Sequence, residues 1–222
     1  MTLPLDAALR RTLHGASVGG MEQVVTAEQM RRAEQRVFDA EPGVDLMGRA
    51  ARAVAEAAAE LVPVGPVLVV VGPGNNGGDG LFAAALLADS RDVAIWLTSG
   101  RGHEAGLAAA RAAGVRELDA AEAMQAVGGT ALVIDAVLGI GGRPGLPADV
   151  ATFAGACERL GVPVLSVDIP SGLDADSGKL PAASFHATVT VTFAARKPCH
   201  VTAPASGCCG RVVVADIGVP VG

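Results

Sequence analysis

The chain has 222 residues, half of them hydrophobic and 18% charged, with a formal net charge of −6. A chain this long and apolar can bury a large core, which excludes intrinsic disorder, and it holds no apolar run long enough to span a membrane. The negative charge disfavours nonspecific binding to nucleic acid or membrane surfaces, and four cysteines are too few for a disulfide framework, so we predict a protein of the reducing cytoplasm.

We expect the first 23 residues to be a disordered tail. Asp6 interrupts the apolar run that a secretory signal needs, and it also argues against a mitochondrial presequence. An upstream start codon, with Met21 near the true beginning, is an alternative reading. Residues 24–222 show no linker or repeat, so we predict one domain there.

Two helices are predicted at the start of this domain. Thr26 and Gln29 have the spacing of a capping box, which predicts a helix from about Ala27 to Phe38. A second helix starts near Asp45, and its apolar residues recur every three or four positions until Pro63.

From Val67 the pattern changes to strands alternating with helices. Val67–Val71 is an uninterrupted apolar run, typical of a strand buried on both faces, and an Ala- and Leu-rich helix follows from about Asp79 to Ala88. Further strands are predicted at Val93–Thr98, Ala131–Asp135, Val162–Asp168, Ala187–Phe193 and Arg211–Asp216, and helices near His103–Ala113, Ala120–Val127 and Ala148–Leu160. This order predicts a Rossmann-like α/β fold: a doubly wound, mostly parallel sheet with helices on both faces (three-layer αβα) and two extra N-terminal helices. No helix is predicted between the last two strands, so we expect an antiparallel or mixed edge.

Ligands of open parallel sheets bind beyond the carboxyl ends of the strands. Four segments there join an apolar strand to small or polar residues: 72–80, 135–145, 168–174 and 194–198. The first, GPGNNGGDG, contains G-x-G-x-x-G, but the next strand ends without the acid of a dehydrogenase, and no Walker A lysine follows. We therefore expect it to bind a phosphate through backbone N–H groups, with a simple glycine turn as the alternative.

Two carboxylates end strands that we expect to be adjacent, Asp135 and Asp168. A carboxylate in that position is costly unless it is paired or lies at a cleft. Asp135, Asn76 and the region of Ser171 offer hard oxygen ligands for a cation. The spacing of Cys199, His200, Cys208 and Cys209 does not fit a zinc site, so we expect these cysteines to pack in the interior.

Motifs along nearly the whole chain resemble the YjeF N-terminal family, the NAD(P)HX epimerases. The resemblance is carried by TAEQM (26–30), LMGRA (46–50), GPGNNGGDG (72–80), DAVLGIGGRPG (135–145), VDIPSGLDADSG (167–178), TVTFAARKP (190–198) and VVVADIGVP (212–220). The chain departs from the family pattern at Gly48, and at Ser99–Arg101, where a lysine is sometimes proposed to be functional.

The resemblance implies an enzyme that interconverts the two C6 epimers, (R) and (S), of hydrated NADH or NADPH, called NADHX and NADPHX, so that a dehydratase can repair both. It implies a homodimer that binds K⁺ through Asn76, Asp135 and Ser171. The substrate-binding residues it implies are Asn75, Asn76, Gly77, Gly78, Asp79, Gly139, Ile140, Gly141, Gly142, Arg143, Pro144, Gly145 and Asp168.

Inversion at C6 most simply means loss of hydroxide to give a ring iminium, followed by addition of water from either face. We take Asp135 as the acid/base group of this hypothesis. The alternatives are a non-catalytic dinucleotide- or nucleotide-binding scaffold of the same fold and a different enzyme acting on NAD-like ligands, because a fold does not determine a reaction.

Overall fold

The computed structural model describes residues 23–222, so positions 1–22 of the expected tail lie outside the described residues. The helices are α1 (Ala27–Ala40), α2 (Leu46–Leu61), α3 (Asn75–Ala88), α4 (Glu104–Ala112), α5 (Ala120–Ala126), α6 (Ala148–Leu160) and α7 (Pro198–Val201). The strands are β1 (Val67–Val71), β2 (Val93–Leu97), β3 (Arg116–Leu118), β4 (Leu132–Ala136), β5 (Val164–Val167), β6 (Val189–Phe193) and β7 (Arg211–Ala215). Among these helices, none is long and apolar enough to cross a membrane.

The strands form one sheet in the order β3-β2-β1-β4-β5-β6-β7, and every neighbouring pair is parallel. The predicted antiparallel or mixed edge is therefore wrong, since β7 runs parallel to β6 with Val189 opposite Arg211. The connection over 194–210 contains the short helix α7 and a 3₁₀ turn, and it is long enough for a parallel crossover. Strand β3 was not predicted, because its three residues lack an apolar run.

Two apolar layers cover the two faces of the sheet, as the predicted αβα architecture requires. On one face, α1 to α4 pack against side chains such as Val69, Ile95 and Ile134. On the other face, α5 and α6 pack against the residues that alternate with these. Trp96 belongs to this second layer, where its ring lies 5.5 Å from that of Phe153.

Helix α1 is fixed at its first turn by the cap and by two loops. Thr26 and Gln29 form the predicted capping box. The Ala27 amide donates to Asp176 Oδ1 at 2.7 Å, and the Val25 amide donates to the carbonyl of Arg196, just beyond β6, at 2.9 Å. These contacts hold α1 beside the carboxyl ends of the central strands.

Candidate functional site

A cavity of about 460 Å³ opens at the carboxyl ends of the central strands. Its position is the topological switch point, since β2 and β3 lie on one side of β1 and β4 to β7 on the other. All four segments singled out in the sequence contribute to the lining. Helix α1 closes one side with Met30, Arg31 and Glu34.

The first turn of α3 forms one wall of the cavity. The helix begins at Asn75, four residues before the predicted start. Its N-cap, Gly74, has no side chain that could accept a hydrogen bond from the first-turn amides, so these amides are available to an anion. Gly72 and Gly77 are required by close backbone approach rather than by positive φ. A Cβ on Gly72 would overlap the carbonyl of Val137, and one on Gly77 would overlap the carbonyl of Gly72.

Asp168 lies at the floor of the cavity in a strained conformation. Its φ of 67° is uncommon for a residue with a Cβ. Its Oδ1 accepts hydrogen bonds from Lys197 Nζ at 2.8 Å and Thr192 Oγ1 at 3.0 Å, and its Oδ2 accepts one from the Ile140 amide at 3.2 Å. Burial alone would raise the pKa of Asp168, but the Lys197 ammonium lowers it overall, so the group is a carboxylate at neutral pH.

Lys197 and His200 hold Asp168 in this conformation. The Lys197 ammonium is 1% exposed and also donates to Thr192 Oγ1 at 2.7 Å and to the Phe193 carbonyl at 3.2 Å. His200 Nδ1 accepts from the Lys197 amide at 3.0 Å, so the ring proton is on Nε2, which donates to the Asp168 carbonyl at 3.0 Å. Burial lowers the pKa of His200 to about 4, which keeps the imidazole neutral.

Two further carboxyls line the cavity, and the pKa of each is raised above its usual value. Burial raises the pKa of Asp79 well above its usual value, and the negative charges of Asp168 and Glu34 raise it further. Burial and Asp168 also raise the pKa of Glu34, although Lys197 and Arg31 oppose this. The cavity therefore combines Asp168, whose pKa is lowered, with Asp79, whose pKa is raised, and this separation of pKa values is typical of acid–base sites.

Asp135 lies beneath the cavity and does not line it. The side chain is fully buried, and Oδ2 accepts from Ser166 Oγ and from the Ser171 amide, both at 2.8 Å. Oδ1 accepts only a 3.3 Å bond from the Val137 amide, so it keeps capacity for another partner. Burial raises the pKa of Asp135 to about 6, against the opposing effect of these hydrogen bonds.

The three residues implied as cation ligands all offer oxygen donors. Among the described residues, the Asn76 amide nitrogen is buried without a hydrogen-bond partner, and rotating the amide by 180° would place an oxygen there. Ser171 Oγ accepts from the Leu138 amide at 2.8 Å and donates to the Leu138 carbonyl at 3.1 Å. One carboxylate, one amide and one hydroxyl are oxygen donors with a single negative charge, and such donors suit a hard cation better than a soft metal.

The predicted site residues divide into two groups. Those that line the cavity are Asn75, Asn76, Asp79, Gly139, Ile140, Gly141, Gly142 and Asp168. Those outside its lining are Gly77, Gly78, Asp135, Arg143, Pro144, Gly145 and Ser171. Of the residues considered for zinc, the cysteines are buried in an apolar cluster: Cys199, Cys208 and Cys209. His200 instead donates a hydrogen bond to the Asp168 carbonyl.

Sequence reasoning missed the lining residues of α1 and the role of Lys197. The segment of Lys197 was recognised as a strand-end loop, but its ion pair with Asp168 depends on tertiary structure. Arg31 and Glu34 are charged residues three positions apart in an amphipathic helix, a pattern that usually marks a solvated face, so no local signal distinguished them.

Fold and cavity define a Rossmann-like α/β protein with a ligand site at the switch point of its sheet. A family model described as YjeF-related protein N-terminus matches residues 43–199. The NAD(P)H-hydrate epimerase of Clavibacter michiganensis is 44% identical over 207 residues, which cover 87% of this chain and 89% of the relative. The chain therefore belongs to the YjeF N-terminal family.

Two other comparisons concern the extent of the chain and its fold. The bifunctional NAD(P)H-hydrate repair enzyme Nnr of Corynebacterium glutamicum is 35% identical over 90% of this chain, which spans only 39% of that relative's length. The crystal structure of yeast ynu0 superposes with a TM-score of 0.71 at 23% identity, over 80% of this chain and 82% of the yeast chain. This likeness supports the three-layer fold.

Proposed function

We propose that this protein interconverts the (R) and (S) epimers of hydrated NADH and NADPH at C6 of the nicotinamide ring. The observation that carries the proposal is the cavity itself, where a carboxyl of lowered pKa, a carboxyl of raised pKa and an open helix N-terminus meet at the switch point. Relatives that align over most of the chain are named for this activity. The α3 N-terminus and the 139–142 loop suit the phosphates, and the carboxyls suit the ring that becomes cationic.

Asp79 and Asp168 supply the acid and the base of this reaction. Protonated Asp79 donates its proton to the C6 hydroxyl, the C6–O bond breaks with loss of water, and the N1 lone pair forms the C6–N1 double bond. The Asp168 carboxylate stabilises the cationic ring. Water then adds to C6 from the opposite face, Asp168 accepts its proton, and transfer to Asp79, whose pKa is the higher, restores the starting state.

Asp135 acts from below the cavity in this scheme. Its sequence-based assignment as the acid/base group stays a prediction, but its burial favours a role through the cation and the loop above it. Asn76, Asp135 and Ser171 would hold K⁺, which when bound would neutralise the Asp135 charge and fix the 137–142 segment. The Asp135 side chain already holds the Val137 and Ser171 amides in place.

The test is the exchange between pure epimers. Purified (S)-NADHX is incubated with the protein, and the approach to the (S)/(R) mixture is followed by NMR of the C6 proton. We expect exchange to be faster than in buffer, and an Asp79→Asn/Asp168→Asn variant to remove the acceleration. Binding of NADHX with no change in the exchange rate would contradict the proposal and favour the scaffold alternative. Formation of any third product would favour a different enzyme.

The functional partner, the oligomeric state and the location of the protein are also proposals. We infer a functional partner that dehydrates one epimer, since relatives named as bifunctional hydrate repair enzymes contain the aligned region as 39–42% of their length. A homodimer and a cytoplasmic location remain predictions. The four cysteines are free thiols, which is consistent with a reducing compartment. Sedimentation velocity tests the dimer.

A further inference from the structure

The charged groups of the cavity are unevenly distributed. Three acidic side chains line it, Glu34, Asp79 and Asp168. Among the described residues, the lining cations are Lys197 and Arg31. Lys197 is buried and already donates to three acceptors, so its charge is committed to Asp168 and its neighbours. Arg31 is therefore the lining cation that remains for an anionic ligand.

Arg31 lies at the edge of the glycine-rich 139–142 loop. One of its guanidinium nitrogens donates to the Ile140 carbonyl at 2.7 Å, and the same nitrogen lies 4.0 Å from where a Cβ on Gly141 would be. A guanidinium has five N–H donors, so this single bond leaves the others for a ligand. The loop beside it carries no side chain at Gly139, Gly141 or Gly142, which allows a bulky anion to approach the backbone.

We propose that Arg31 binds the pyrophosphate of the dinucleotide and so fixes which end of the substrate reaches the acid cluster. The inference rests on the proposed function for the identity of the substrate. The anionic pyrophosphate is attracted to Arg31 and repelled by the Asp168 carboxylate, whereas the nicotinamide ring gains from that carboxylate as it becomes cationic. Both effects orient the ring towards Asp79 and Asp168.

The competing explanation is that Arg31 only fastens α1 to the 139–142 loop through its hydrogen bond to the Ile140 carbonyl. The two roles differ in their dependence on the substrate. A fastening contact shapes the site for every substrate, whereas a pyrophosphate ligand matters only when a phosphate is present. Hydrated reduced nicotinamide riboside carries the reacting ring without any phosphate and therefore separates them.

The experiment compares Arg31→Gln with wild type on NADHX and on the hydrated riboside. A charged hydrogen bond of this kind is worth about tenfold in affinity, so we expect KM for NADHX to rise about tenfold while kcat/KM for the riboside stays unchanged. Arg36→Gln is the matched control, because it removes the same charge from an exposed position of the same helix. Arg31→Lys should recover only part of the loss, since it keeps the charge without the forked geometry.

Three results would overturn the inference: an equal loss on the riboside, an equal loss in Arg36→Gln, or no loss on NADHX. Calorimetric titration with ADP-ribose separates this from the proposed function. Wild-type protein that binds ADP-ribose about tenfold more tightly than Arg31→Gln, yet does not speed epimer exchange, would support Arg31 and contradict the epimerase. Epimerisation with equal ADP-ribose binding in both proteins would contradict Arg31 alone.

Discussion

Lys197→Met is expected to be the most destabilising change at the site, because it leaves the Asp168 carboxylate buried without its cation. The two side chains are 1% and 9% exposed, and Nζ lies 2.8 Å from Oδ1. After the substitution, Thr192 Oγ1 and the Ile140 amide remain as the donors to Asp168. Removing one partner of a buried ion pair costs about 3–5 kcal/mol, a large share of the roughly 5–15 kcal/mol of an ordinary domain.

The double variant Asp168→Asn/Lys197→Met supplies the test of this reasoning. Asp168→Asn alone leaves the ammonium buried and should cost a similar amount, whereas the double variant buries no charge. We therefore expect it to be no less stable than either single variant, with a coupling energy of about 3 kcal/mol in the cycle.

Urea denaturation at pH 7, with the transition midpoint and the m-value fitted together, measures all four proteins. Lys179→Met is the matched control, since Lys179 is the chain's other lysine and is exposed, and it should change stability little. Additive losses in the double variant would refute the argument that the two charges stabilise each other.

The same cycle has a defined pH dependence. The folded-state pKa of Asp168 lies below its usual value, so the pair's contribution is complete above the pKa of the unfolded carboxyl. It is lost as the pH falls through the lowered folded value. In Lys197→Met the deficit relative to wild type should shrink in acid, because protonation removes the unpaired charge. A deficit that does not change with pH would contradict the ion-pair explanation.

Three other predictions concern catalysis. Asp79→Asn should lower kcat by about 10²–10⁴-fold with little effect on KM, because it removes the proton donor; steady-state epimerisation measures this, and a near-normal kcat would exclude Asp79 as the acid. Glu34→Gln removes a negative charge that raises the Asp79 pKa, so the alkaline limb of the kcat/KM profile should move to lower pH; an unmoved limb would contradict the coupling. Asp135→Asn should keep the fold but abolish catalysed epimerisation and any rise in melting temperature with KCl over NaCl; retention of both would rule out Asp135 as a cation ligand and as an essential group.

Much of the fold could be predicted from the sequence because its signals are local. Apolar runs such as Val67–Val71 identify buried parallel strands, and the Thr26 capping box identifies the start of α1. Strand β3 escaped prediction because it is short and half exposed, and the direction of β7 depended on a crossover with little helix. The start of α3 was placed too late because glycines favour a loop locally, whereas Gly77, Gly78 and Gly80 lie within the helix, where a Cβ would overlap the Gly72 carbonyl, Met47 and Ala136 respectively.

Site residues that directly follow a strand could be predicted from the sequence. Site residues on a separate element, helix α1, that packs beside the cavity could not. Asp135 and Asp168 were found because a carboxylate at the end of a buried strand is costly unless it is paired or lies at a functional cleft. Glu34 and Arg31 reach the cavity only because α1 is fixed at its first turn by the loops after β5 and β6. That placement is a long-range contact, which the spacing of residues along one helix does not encode.

The position of Trp96 has a practical consequence for experiments on this protein. It is the chain's single tryptophan, the chain has no tyrosine, and it is buried against Phe153 in the layer of α5 and α6, outside the cavity lining. Its fluorescence should therefore report the integrity of that layer with almost no background from other residues, and it should change little when a ligand binds in the cavity. A single intrinsic probe can thus follow unfolding in the presence of substrate without confusing the two events.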